Sequence, residues 1–369
     1  MSYDRDQNGS RGERARNSLA GRAFQQMIDR GRDAADWLEF APRLSDLDRA
    51  LIRLLQADGR RSFARMSQDL GVAQKTVRRR VHELREEGII RITTVGDPYL
   101  MGYGVTALVG VTVDSSREVS AVAAQLATGR RAFYVIVVTG RYNVLVEVSC
   151  KDDDDLLETV ERDIAGVEGV SSYEIHPYIR LHYQNPTFES RREKATAAGD
   201  IRSEPISFDR IDREIISHLS KDGRTPLQGI ARELDVSESQ VRLRVRRMVS
   251  SGALHIMALT SPRGVGFNSP ALIGVKVAPG SSIEGVATEL AKLPAVIYVA
   301  ICTGRYQIFT EVICAEREEL FHFIDSQLRE VDGIADLEAW TYLRLFYRNV
   351  RPIEPESENN VGTEFPATL

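Results

Sequence analysis

The sequence is poor in the groups that catalysis, membrane insertion or disulfide scaffolding would need. Three cysteines in 369 residues are too few for a disulfide framework. Two of them, Cys150 and Cys314, sit in apolar alternation and read as buried thiols of a reducing compartment, hence a cytoplasmic protein; a Cys150–Cys314 bridge is the less favoured alternative. No apolar run approaches the roughly 20 residues of a membrane span. The opening MSYDRDQNGSRGERARNSL lacks the apolar centre of a secretory signal. His82, His176, His182, His218, His255 and His322 show no metal-ligand spacing. There is no glycine-rich phosphate loop after a strand, and no Ser/His/Asp or Cys/His set suggests itself. The Asp152–Asp155 run reads as an exposed helix start favoured by the helix dipole rather than a metal site. The sequence therefore calls for no metal and no cofactor, and an enzyme is not the first reading.

Positive charge is also short overall, with a formal net charge of −5. It is not evenly short. Residues 46–90 carry ten Lys/Arg against seven Asp/Glu, and residues 210–254 nine against six, so each segment is +3. The excess acid lies in Asp152–Asp155 and from Glu354 onward. Local basic segments matter more to a nucleic-acid partner than the chain total.

What is present is a long duplication. Asp58-Gly59-Arg60 returns as Asp222-Gly223-Arg224, and Pro98 and Gly102 as Pro262 and Gly266. Thr139-Gly140-Arg141-Tyr142 returns letter for letter as Thr303-Gly304-Arg305-Tyr306. Glu147, Cys150 and Tyr183 return as Glu311, Cys314 and Tyr347. The offset is 164 throughout, without a gap. Two duplicated halves follow, each long enough for its own core.

Within each half a basic helix stands out. In GVAQKTVRRRVHELREEGII, from Gly71, Val77, Val81 and Leu84 fall on one helical stripe. Gln74, Lys75, Arg78 and Arg79 lie away from it. A shorter helix up to Leu70 and a turn at Gly71 precede it. Two helices joined by a glycine turn, the second one basic outside, form a helix-turn-helix pattern whose second helix would enter a DNA major groove. The second copy offers Ser239, Gln240, Arg242 and Arg246, with Ser237 and Gln240 spaced as a capping box and Ala73 leaving the first copy uncapped. Glu238 near the second helix start predicts that the two heads read different half-sites. Arg80 and Arg244 serve either the fold or phosphate. The bland reading of all these cations is a solvated face; their position on a second helix favours DNA.

Each head is followed by a short apolar segment (Ile89–Val95; Ala253–Thr260), a wing or a strand that crosses to a partner. Then comes strand–helix–strand–strand–helix–strand, a ferredoxin-like βαββαβ order. Its last strands are read as Val170–Ile179 and Ile334–Tyr342. The free face of such a sheet needs a cover, and two copies in one chain offer it internally. The fold class is α+β. Residues 1–43 form an arm, weakly helical around Arg22–Phe40; 44–102 the first winged helix-turn-helix; 103–186 the first βαββαβ domain; 187–206 a linker; 207–266 and 267–352 the second pair; 353–369 an acidic, disordered tail.

A helix-turn-helix followed by βαββαβ resembles the Lrp/AsnC (feast/famine) transcription regulators. The resemblance rests on Asp48, Gly71-Val72, Arg80-Val81, Leu84, Gly88-Ile89-Ile90, Pro98 and Gly102. In the second half it rests on Asp212, Val236-Ser237, Arg244-Val245, Gly252, Pro262 and Gly266. It implies two fused regulator units, each a winged helix-turn-helix plus a ligand-sensing (RAM-type) domain, forming an intramolecular pseudo-dimer with heads roughly 34 Å apart on successive grooves. Implied partners are double-stranded DNA, a small-molecule effector such as an amino acid or other metabolite, and further copies of the chain; no membrane is implied. In the family a Gly-x-x-Asp turn lines the effector pocket. It matches Gly140, Arg141, Asn143 and Gly304, Arg305, Gln307, with an amide replacing the carboxylate. That substitution shifts the expectation from the ammonium of an amino acid toward a carboxylate or phosphate held by the arginines. A plain hairpin turn remains the equal alternative. Some tandem proteins resembling this family are siroheme decarboxylases, which makes tetrapyrrole chemistry the rival function; the absence of histidine from Arg131–Thr139 and Ala295–Thr303 ranks it second.

Overall fold

The computed structural model describes residues 35–36, 44–184, 206–260, 269–347 and 352. The linker, the acidic tail, most of the arm and the Pro262–Gly266 pair lie outside them. The arm contributes one described element, the two-residue strand β1 (Ala35–Asp36), where a helix was expected.

In the first head, α1 (Asp46–Ala57) begins at Ser45, whose hydroxyl accepts the Asp48 N–H while the Asp48 carboxylate accepts the Ser45 N–H. Helix α2 (Phe63–Leu70) ends at Gly71, which takes a left-handed φ of 64°. Helix α3 (Gln74–Glu86) follows, then strand β2 (Ile90–Gly96). The second head repeats this with α6 (Arg210–Lys221), α7 (Leu227–Glu233), α8 (Glu238–Ser250) and β7 (Leu254–Thr260). Pro226 is the cap of α7.

The two heads are one body. Leu51, Leu55, Val77 and Val81 of the first pack in the same core as Ile215, Leu219, Val241 and Met248 of the second. Strands β2 and β7 pair antiparallel, with Thr93 opposite Met257. The short apolar segments thus cross between heads rather than form separate wings.

The βαββαβ halves are β3 (Val105–Val113), α4 (Val119–Leu126), β4 (Ala132–Val138), β5 (Val144–Cys150), α5 (Asp153–Glu158) and β6 (Val170–Gln184), and β8 (Ser269–Val277), α9 (Ile283–Lys292), β9 (Val296–Cys302), β10 (Ile308–Cys314), α10 (Arg317–His322) and β11 (Ile334–Tyr347). A π-helical turn continues both α5 and α10. Asp152 caps α5, as the acidic run suggested.

Each half forms an antiparallel sheet in the order β4-β5-β3-β6 or β9-β10-β8-β11. The final strands run five residues further than expected, and the extension changes the topology. β6 pairs with β3 through Pro177 and then with β9 of the other half from Tyr178. β11 pairs with β8 through Thr341 and then with β4 from Tyr342. The eight strands therefore close on themselves. Alternation along the strands sends Val135 and Val137 to the helix-covered outside and Ile136 and Val138 to the interior between the sheets. That interior holds Leu108, Leu145, Leu272, Phe309, Trp340 and Leu345. All three cysteines are free and buried.

Candidate nucleic-acid interface and sensing turns

Helices α3 and α8 bury Val77, Val81, Leu84 and Val241, Val245, Met248 respectively. The opposite faces expose all eight expected DNA-contact residues: Gln74, Lys75, Arg78, Arg79, Ser239, Gln240, Arg242 and Arg246. They are not equally available. The side chains of Gln74, Lys75, Arg78 and Arg246 make no hydrogen bond or ion pair among the described residues. Arg79 pairs with Glu83 at 2.9 Å, and Arg242 with Glu238 one turn earlier. Ser239 shares a 2.9 Å hydroxyl contact with Ser237. Gln240 spends its Oε1 on the Ser237 N–H at 3.0 Å, closing the capping box that α3 lacks at Ala73. The first head thus presents more uncommitted donors than the second.

Arg80 and Arg244 serve the fold. Arg80 grips the buried Asp48 through Nε and, at 3.1 Å, through Nη2. Arg244 and Arg247 hold Asp212 at 2.9 and 2.6 Å. Burial alone would raise the Asp48 carboxyl, but hydrogen bonds from Arg80 and Ser45 outweigh it and the pKa is lowered. Helices α3 and α8 are therefore pinned to α1 and α6 by partly exposed arginines paired with a buried carboxylate.

The repeated Asp-Gly-Arg, unexplained in the sequence, clamps one head to the other. The Gly59 N–H donates to Ile256 O at 2.7 Å and the Gly223 N–H to Ile92 O at 2.8 Å. A Cβ at either glycine would stand 2.9 Å from Ile92 or Ile256 atoms. Arg60 donates to the carbonyls of Gly223 and Thr225, and Arg224 to those of Gly59 and Arg61.

The Gly-Arg-Tyr turns likewise bridge the halves. Gly140 and Gly304 have φ of 108° and 105° and abut the rings of Trp340 and His176, which occupy equivalent positions. Arg141 reaches Glu338 of the second half at 3.5 Å, and Arg305 reaches Glu174 of the first at 3.2 Å. The tyrosines turn inward: Tyr142 donates to Glu174 at 2.6 Å and Tyr306 to Glu338. The Asn143 and Gln307 side-chain oxygens accept the Val113 and Val277 N–H at 2.8 and 3.1 Å, tying each turn to its neighbouring strand. The residues read as effector ligands are thus engaged in holding the turn and the partner half.

Two carboxylates face the interior between the sheets. Glu147 accepts the hydroxyls of Tyr178 and Tyr298 at 2.9 Å each, and its equivalent Glu311 accepts that of Tyr134 at 2.9 Å. Each thereby takes a hydroxyl from the opposite half. Burial pushes both carboxyls up, Glu311 to about 7. Nothing in the sequence marked them beyond their recurrence in step.

Among the described residues no helix is long and apolar enough to cross a membrane, and no three His, Cys, Asp or Glu are grouped to hold a metal ion. The AsnC-type helix-turn-helix domain model matches residues 44–85 and 208–249, and the Lrp/AsnC ligand-binding domain model 106–188 and 270–351. An uncharacterized helix-turn-helix-type transcriptional regulator of Pyrococcus horikoshii is 36% identical over 153 residues, 39% of this chain and 96% of that one. The transcriptional regulator FL11 of Pyrococcus furiosus is 34% identical over 128 residues, 34% of this chain and 83% of its own. Across most of the chain the fold resembles the crystal structure of the siroheme decarboxylase NirDL, with a TM-score of 0.56, 18% identity, and 85% of this chain and 95% of that one covered. Two helix-turn-helix domains and two ligand-binding domains in tandem place this chain in the Lrp/AsnC family of DNA-binding transcriptional regulators.

Proposed function

We propose that the protein is a cytoplasmic, sequence-specific regulator whose two fused units act as an intramolecular pseudo-dimer on an imperfectly palindromic site. The observation that carries this reading is the pair of exposed, basic recognition helices held by one shared head core. A common core makes the head spacing a property of the fold, as recognition of two successive half-sites requires. A small effector bearing a carboxylate or phosphate would act at the Gly140 and Gly304 turns by competing for Arg141 or Arg305 with Glu338 or Glu174, loosening a tie between the halves and favouring one head arrangement over another. Further copies of the chain assemble on this unit.

The test is binding to genomic fragments, including the protein's own upstream region, across a salt series and with candidate metabolites added. Selective binding that weakens steeply with salt is expected. Arg78→Ala should lower affinity by about tenfold, and Arg242→Ala by less because Glu238 already neutralises that cation. Binding that is equally tight to all fragments, or unchanged in Arg78→Ala, rejects the reading.

Tetrapyrrole chemistry is the second reading, favoured by the likeness to NirDL over nearly the whole chain. At 18% identity that likeness concerns the fold. His176, the buried histidine of the sensing half, is packed among Tyr142, Tyr306 and Phe309 rather than open to a cleft. Visible absorbance copurifying with the protein would favour this reading over regulation.

A further inference from the structure

The duplication is not symmetric where the two heads meet. On one side, between the end of α1 and the recognition helix α8, lies a half-open cleft of about 670 Å³. On the equivalent side the corresponding polar groups are joined to one another. There Arg85 pairs with Asp222 at 2.8 Å, Arg91 donates to Ser220 O at 3.2 Å, and Thr93 donates to the same carbonyl at 2.7 Å. In the open cleft, Val249 stands for Arg85, His255 for Arg91, Met257 for Thr93 and Gln56 for Ser220. The substitutions remove every one of those closing bonds. What remains is an apolar wall, to which Leu227, Val245 and Met257 contribute, with a cationic rim.

That rim carries Arg60, Arg242 and Arg246, with Asp58 the one carboxylate in the lining; Arg242 also pairs with Glu238 beside the cleft and Arg60 commits its Nη1 to the Gly223 and Thr225 carbonyls, which leaves Arg246 as the uncommitted cation. Burial lowers the pKa of Arg60, Asp222 and Asp58 oppose the shift, and the nearby Arg242 adds to it. Arg246 has no ion-pair partner among the described residues. A second, independent sign is Gln56. It is 5% exposed, lines the cleft, and its Nε2 is buried without a hydrogen-bond acceptor. Buried donors are almost always satisfied, so an acceptor is missing at this wall. The volume lies in the range of small-molecule sites, which combine apolar lining with a few convergent polar groups.

We propose that this cleft binds a small organic anion with an apolar body, its acidic group held by Arg246, with Arg242 and Arg60 adding positive charge beside it, and a neighbouring oxygen accepting the Gln56 amide hydrogen. The site is distinct from the Gly-Arg-Tyr turns. Its occupant rests directly on α8 and withdraws two of that helix's exposed cations. The consequence for DNA rests on the function proposed above; the binding itself does not.

The test is calorimetric titration of the full-length protein without DNA, using phenylpyruvate, phenyl phosphate and inorganic phosphate. One of the two aromatic anions should bind saturably with a Kd below about 1 mM and more tightly than inorganic phosphate by about tenfold or more. Which of them wins tells a carboxylate ligand from a phosphate ester. Val249→Arg restores the arginine that its counterpart Arg85 supplies, opposite Asp58, and should abolish binding while leaving the melting temperature at or above that of the parent. Arg246→Ala removes an exposed side chain with no ion-pair partner among the described residues, and should weaken binding by about tenfold at an unchanged melting temperature. No saturable binding of either aromatic anion, equal binding of inorganic phosphate, or binding unaltered in both variants overturns the proposal. These outcomes involve no nucleic acid, so they stand apart from failure of the regulator reading.

Discussion

Glu311 is held between two sheets with 9% of its surface exposed and the Tyr134 hydroxyl at 2.9 Å. Burial raises its carboxyl from an ordinary 4.5 to about 7. The folded protein therefore binds this proton more tightly than the unfolded chain does. The stabilisation linked to it is complete below about 4.5 and is lost as pH rises toward 7. Glu311→Gln keeps an acceptor for Tyr134 and removes the titration. Relative to this variant, the parent should lose ~1–3 kcal/mol of unfolding free energy between pH 4.5 and 7 and change little above pH 8. Urea titrations across that range check it; parallel pH profiles for the two proteins would refute it. The same scale explains why Gly140 and Gly304 recur. Each combines a left-handed φ with an aromatic ring where a Cβ would stand, Trp340 at 3.2 Å for Gly140 and His176 at 3.1 Å for Gly304, and a side chain there is strained whichever way the ring moves.

At the scale of elements, the recognition helices differ most at their first turns. Helix α8 opens with a Ser237–Gln240 capping box, whereas α3 opens at Ala73 with no side-chain acceptor for its first N–H groups. Ala73 already has the extended backbone of a cap residue, with φ −61° and ψ 137°. Ala73→Ser should therefore stabilise by about 0.5–1 kcal/mol, read as a higher denaturation midpoint with an unchanged slope. A lower midpoint would mean that the side chain cannot turn to the N2 or N3 amide. The lack of a cap also leaves those amides open to an anion.

For the molecule as a whole, β6 and β11 are the decisive pieces. Each leaves its own sheet partway along and finishes in the sheet of the other half. The interior between the sheets, with Trp340, Tyr306 and Phe309 fully buried, exists only when both halves are present. The heads share their core in the same way. Chains divided near residue 200 should consequently fail as monomers. Each half alone should self-associate, and the two mixed should form a one-to-one complex with the parent's circular dichroism. Light scattering after size exclusion distinguishes these species; two soluble, fully folded monomeric halves would contradict the shared cores.

Much of this was legible along the chain. The apolar stripe Val77, Val81, Leu84, the capping residue Ser237, and the βαββαβ order are local facts, set by neighbours within a few turns or one strand. The constant offset made the duplication unmistakable. What pairs with what was not local. The extensions of β6 and β11 beyond Ile179 and Tyr342 carry no period of their own that separates them from a loop, because the strand they join lies in the other half. Arg141 and Arg305 read as effector ligands, and Arg60 and Arg224 only as part of a repeated tripeptide, until folding sets Glu338, Glu174 or a backbone carbonyl opposite them. The sequence by itself determined two copies of a helical head and a ferredoxin-like sheet. Only the tertiary structure decided that the copies share their cores, and that one of two equivalent clefts stays open, because both depend on contacts between residues far apart in the chain and in different halves, such as Tyr178 with Cys302 and Arg85 with Asp222.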